Sequence, residues 1–216
     1  MSYSPNADTA PPQALEVVRS EVTKLVIKGA ARLDTITVFL EDLGVRAVPL
    51  ERDPNYKTGR GSLTVRCGGE SWTAYWGAMG QRSVADFVAQ TGDEYILNCL
   101  SRGLSTTRFS GKALKQLALR CIVDRRRERN RSNWELGYLD AHDARALYRR
   151  ADELRDVESE RECWNHSELL TLLFGSEWHY PVEDHAKEEN PDYMYLLQIV
   201  RAVQQALKPP AQDAAA

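Results

Sequence analysis

No stretch of this 216-residue chain approaches the ~20 consecutive apolar residues that a bilayer-spanning helix requires. The longest apolar runs are of the length of Leu169–Phe174, which excludes a membrane-embedded protein and gives no reason to expect a membrane partner. No basic segment followed by an apolar one stands near Met1, so no secretory signal is read and a cytoplasmic protein is expected. The four cysteines, Cys67, Cys99, Cys121 and Cys163, are far apart and form no CxxC pair. That spacing suits reduced core thiols rather than a disulfide framework. Catalytic signatures are missing too. There is no G-x-S-x-G elbow and no HExxH. Between Gly103 and Gly111-Lys112 stand seven residues, where a phosphate-cradling loop has four, and Ala113 follows the lysine in place of Ser or Thr. Asp140 and Asp143 flank His142, but at a helix start, where capping and dipole effects account for acids. No enzyme and no cofactor are expected. A formal net charge of only −3 argues against a protein that binds nucleic acid over its whole surface, and leaves a local patch open.

What is present is a sorted charge distribution. Lys112–Arg131 holds eight basic residues against two acids, a net +6, and Asp152–Asp192 holds thirteen acids against three basic residues, a net −10. A basic block attracts phosphate and an acidic block repels it. The hydrophobic fraction of 43% and charged fraction of 27% describe a globular chain with enough apolar material for a substantial core.

Along the chain, residues 1–14 are rich in Ser, Ala and Pro and are expected to be a disordered arm. Leu15, Val18, Val22, Leu25 and Val26 fall at helical spacing, although the β-branched Val22–Ile27 leaves a strand open at that end. Strand alternation is clear in Asp34–Asp42, Ser62–Cys67 and Glu70–Trp76, the last two joined by Gly68-Gly69, a two-residue hairpin turn. Leu43–Gly61 reads as a long connection broken by Pro49, Pro54, Gly59 and Gly61. Helical patterns follow. Ser83 caps Val84–Gln90, Asp93 caps Glu94–Leu100, and Ser110 opens a helix to about Arg129. Asp140 opens the next, Asn165 and Glu168 make a capping-box pattern ahead of Leu169–Phe174, and Asn190-Pro191 opens the last. The predicted fold is α+β: a three-stranded antiparallel meander covered by helices, followed by a helical C-terminal half. The expected organisation is one domain over residues 15–208, with its sheet part at about 32–80 and its helical part at about 83–208. Residues 209–216 form a disordered tail. The mostly apolar last helix allows a homodimer without demanding one.

The first binding candidate is the helix after Ser110. At 100° per residue, Lys112, Lys115, Arg120, Arg126 and Arg127 gather opposite the stripe Leu114, Leu117, Ala118 and Cys121. Such a row can track a phosphate backbone. It can equally be a solvated face, or be neutralised within the molecule by the acidic segment. Tyr75 faces away from Trp72, Ala74 and Trp76 and is the candidate for base stacking, while the two tryptophans read as core. Gly77–Gly80 offers backbone N–H groups to an anion or is a plain strand-to-helix turn. Cys163, His166, His179 and His185 follow C-x2-H-x12-H-x5-H, close to zinc-finger spacing. Pro181, however, breaks the helix that would present the distal pair, so surface and helix-end histidines are the simpler reading.

Three stretches carry a resemblance: Arg32–Gly44, Ser71–Gly80 and Asn190–Leu207. Together they resemble a family of uncharacterised proteins encoded by tailed bacteriophages and prophages of proteobacteria. Relative to that family, Val45–Thr58 looks like an insertion, and the basic and acidic middle matches least. The resemblance implies a phage accessory gene working in the host cell, a class that often modulates host defence, replication or recombination. It brings no catalytic residue. The functional expectation is a non-enzymatic accessory protein that binds nucleic acid or a nucleic-acid-handling host protein. The alternatives are an anti-defence protein that blocks a host protein through the acidic segment, and a small zinc protein.

Overall fold

The computed structural model describes residues 17, 19–48, 53, 55–127 and 136–209. The expected arm and nearly all of the expected tail lie outside them. The chain divides into two compact units, Met1–Thr91 with Val203–Ala216, and Gly92–Ala202.

The first unit is built on a four-stranded antiparallel sheet: β1 (Thr23–Ile27), β2 (Ile36–Ala47), β3 (Lys57–Cys67) and β4 (Glu70–Trp76), in that spatial order. Period-2 alternation sends Ile36, Val38, Leu40, Leu63, Val65, Cys67, Ala74 and Trp76 to one buried face. The helix α1 (Val84–Gln90) covers that face with Val84, Phe87 and Val88, and Phe87 lies 5.3 Å from Trp76, centroid to centroid. Ser83 caps α1 by accepting from Asp86 N–H. From the end of the last helix, Gln204 donates to Val88 O at 3.0 Å and Thr91 O at 2.7 Å.

Two expectations are corrected. Over the described residues no helix precedes the sheet: Thr23–Ile27 is an edge strand paired antiparallel with β2. The β-branched Thr23, Val26 and Ile27 suit a pleated strand better than a helix, and the open edge of β2 supplies the partner. The sheet therefore has four strands rather than three, within the expected α+β class. Leu43–Gly61 is not one loop either. β2 and β3 continue past a bulge between Asp42 and Val45 and pair on to Ala47↔Lys57. Gly44, at φ 75°, makes that bulge. The turn at Gly68-Gly69 is as expected, with φ of 58° and 88°.

The second unit contains α2 (Asp93–Leu100), β5 (Thr107–Phe109), α3 (Gly111–Arg126), α4 (Ala141–Arg150), α5 (Ser167–Phe174), α6 (His179–His185), β6 (Lys187–Glu189) and most of α7 (Pro191–Leu207). Short 3-10 turns lie at Ala151–Leu154 and Glu162–His166. One apolar cluster holds α3 to α6 together, with Leu114, Ala118, Ile122, Leu147, Leu154, Leu170 and Leu173 among its members. The capping box at Asn165 is not formed. The 3-10 turn runs directly into α5, whose N-cap is His166, without a side-chain cap. β5 and β6 pair antiparallel, Arg108 opposite Glu188. Among the described residues, no helix is long and apolar enough to cross a membrane.

Candidate nucleic-acid interface

The buried stripe of α3 explains its orientation. Leu114, Ala118, Ile122 and Arg125 face inward, and Gly111 lets the helix start press against neighbouring backbone. A Cβ there would come within 2.5 Å of Arg155 O and Val157 O. Ser110 caps the helix by accepting from Ala113 N–H at 3.3 Å. Arg125 is turned inward and donates to Leu136 O at 2.5 Å, Leu172 O at 2.7 Å and Gly137 O at 3.3 Å. It therefore serves the fold.

On another side of α3, Lys112, Gln116 and Arg120 stand one helical turn apart in an i, i+4, i+8 row. They line an open cleft of about 410 Å³, together with Ala113 and, from the chain after α5, His185, Lys187 and Glu188. Three formal cations and one carboxylate meet there. The carboxylate is already engaged: Glu188 accepts from Ser110 Oγ at 2.9 Å and from Arg108 at 3.2 and 3.3 Å. The Ser110 hydrogen bond first and Arg108 second hold it below the ordinary carboxylate range. The cleft thus presents Lys112, Arg120 and Lys187 to solvent with its acid neutralised by a fourth cation, an arrangement suited to an anionic ligand.

The other residues of the expected basic row lie elsewhere. Lys115 is ion-paired with Asp152. Arg126 donates to Tyr138 Oη at 2.6 Å and Leu139 O at 3.0 Å and stacks over the Tyr138 ring at 5.5 Å. Arg127 ends the helix and is exposed. Arg129 and Arg131 lie outside the described residues. Gln116, His185 and Lys187 were not singled out as cleft residues from sequence. The pairing that brings β6 to this place is three residues long on each strand, too short to give a periodic signal.

A phage-family model matches residues 15–209, almost the whole chain and both units. The chain belongs to this phage family. Neither the curated proteins nor the solved structures contain a match.

In the first unit of the phage protein, Tyr75 stands on the open face of the sheet, 58% exposed and opposite Ser62. The same face carries Phe39, with Lys24 and Arg66 at 6.0 and 5.4 Å from its ring. The N–H groups at Gly77–Gly80 are partly spent: Met79 N–H donates to Gly59 O at 3.0 Å and Gly80 N–H to Thr58 Oγ1 at 3.0 Å. They serve the join to β3.

The metal candidates do not converge. Among the described residues, the one group of His, Cys, Asp and Glu ligand atoms within 4.8 Å of one another is Asp140, His142 and Asp143. There Asp140 caps α4, accepting from His142 N–H at 2.7 Å and Asp143 N–H at 2.8 Å. Cys163 is fully buried, His166 half-buried, and His179 and His185 are exposed. Burial pushes the Cys163 thiol up to about 11.

Proposed function

We propose that this phage-family protein acts by binding nucleic acid, with the phosphate backbone lying in the cleft between α3 and β6. The carrying observation is the convergence of Lys112, Arg120 and Lys187 on one open cleft whose acid, Glu188, is already satisfied by Arg108 and Ser110. Rigid helical presentation fixes the spacing of the cations, and phosphate contact requires no sequence-reading group. Tyr75, on the other unit, is an additional stacking contact in this reading. The test is fluorescence anisotropy with labelled DNA and RNA, single- and double-stranded, over a range of salt. Native affinity is expected to fall steeply with salt, and Lys112→Glu with Arg120→Glu to abolish binding. Arg127→Glu, outside the cleft lining, is expected to weaken it far less. Binding indifferent to the double reversal overturns the reading.

A second reading is a protein that occupies a host protein through its acidic segment. Its support is that Glu183, Asp184 and Glu189 are exposed and carry no ion pair among the described residues. Neutralising these three should release a nuclease-resistant host protein from a pull-down. Its retention counts against this reading.

A further inference from the structure

Within the acidic segment one place is chemically unlike the rest. Trp164 leaves the 3-10 turn Glu162–His166 with 64% of its surface exposed, an unusual position for the largest apolar side chain. It is held edge-on against buried Trp178, centroids 4.9 Å apart at 68°, so its ring is fixed by an aromatic contact while remaining open to solvent. Beside it lies a small pocket of about 120 Å³, lined by Glu160, Trp164, Trp178, His179, Val182 and Glu183. That is well below the several hundred Å³ of a drug-sized site. Neither carboxylate side chain has a hydrogen bond or ion pair with the described residues, and no lysine or arginine lines the pocket.

An indole wall with two uncommitted carboxylates is the complement of a cation. The face of tryptophan attracts a positive charge better than other aromatic rings do. A planar guanidinium can lie flat on that face while its N–H groups reach carboxylates to the side, which an ammonium cannot do as well. We infer that the Trp164 pocket takes an arginine side chain presented by a partner protein. For the partner being a protein, this rests on the second reading above. It is independent of the nucleic-acid cleft, whose residues are different.

The experiment titrates the full chain with a hexa-arginine peptide and a hexa-lysine peptide of equal charge, following tryptophan fluorescence and peptide anisotropy. Hexa-arginine is expected to bind about fivefold more tightly than hexa-lysine and to quench emission. Trp164→Ala should remove both the preference and the quenching. Trp164→Phe, which keeps a ring against Trp178, should retain part of the affinity and guard against misfolding as the cause. Glu160→Gln with Glu183→Gln should weaken binding about fivefold or more. Asp156→Asn with Glu177→Gln, which removes the same charge elsewhere in the segment, should stay within about twofold. Equal binding of the two peptides, or equal losses in both carboxylate pairs, overturns the pocket by showing that charge alone is responsible. A host protein that depends on Asp184 and Glu189 but is indifferent to Trp164→Ala would also overturn the pocket, while leaving the second reading standing.

Discussion

The Ser110 hydroxyl donates to Glu188 Oε2 at 2.9 Å across 78 residues of sequence while accepting from Ala113 N–H. One side chain thus caps α3 and holds the acid of the candidate cleft. The Glu188 carboxyl lies below its ordinary 4.5, by this hydrogen bond first and Arg108 second. A depressed carboxylate contributes stability that is present above its unfolded value and lost as pH falls through the lower folded value. In Ser110→Ala, the Glu188 carboxyl titration followed by NMR should move up toward 4.5. The lost cap should cost about 1 kcal/mol in urea unfolding. An unmoved midpoint would remove Ser110 as the cause.

Gly61 of β3 has no room for a side chain. A Cβ there would meet Val84 Cγ2 at 2.1 Å and Glu41 O at 2.6 Å, and the second of these is backbone that cannot swing away. Gly61→Ala should therefore cost about 2 kcal/mol or more by overpacking. Gly69→Ala faces open space at φ +88° and should cost about 1 kcal/mol, from backbone strain alone. Thermal melts of the two variants test the order; a reversed order means α1 is free to shift off the sheet.

Much of this architecture was readable because strand alternation and helix caps are local signals. Ile36, Val38 and Leu40 name one face of β2, Gly68-Gly69 dictates the turn, and Ser83, Ser110 and Asp140 each mark a helix start where the cap is found. β1 was obscured because Leu15–Val26 fits a helical period as well as its end fits a strand; the choice is made by the free edge of β2, which is not local. The cleft was only half legible. Lys112 and Arg120 belong to one helix, but Lys187 arrives through a three-residue pairing. Sequence allowed that the acidic segment would neutralise part of the basic row, as Asp152 does for Lys115; which cation it takes, and that Arg126 goes to Tyr138 and Leu139, is set by tertiary packing.

Arg125 and Arg127 are adjacent in kind and opposite in role. Arg125 is 8% exposed and its fork reaches three carbonyls on two chain segments. A lysine carries one ammonium and cannot replace that geometry. Arg125→Lys should lose about 2 kcal/mol, since buried acceptors left unpaired are costly. Arg127→Ala, exposed at the helix end, should stay within about 0.5 kcal/mol. Urea unfolding with an unchanged slope is the measurement, and equal losses would show that Arg125 is not the tie between α3 and the segment at Leu136-Gly137.

Burial also controls two thiols. It pushes Cys121 and Cys163 up to about 11, and each S–H has a carbonyl to donate to, Leu173 O at 3.0 Å and Ser159 O at 3.8 Å. A thiol raised in the folded state favours folding while it stays neutral. Its contribution is complete below the ordinary 9.0 and is lost as pH climbs from there through about 11. Since the thiolate is the reactive form, iodoacetamide at pH 8 should label both residues much more slowly in the native protein than in urea, as read by mass spectrometry. The urea midpoint should fall between pH 9 and 11, and fall less in a Cys121→Ala, Cys163→Ala variant. Native labelling as fast as unfolded labelling would mean that the core around α3 and the 3-10 turn at Cys163 opens readily. The depressed reactivity would then have no structural basis.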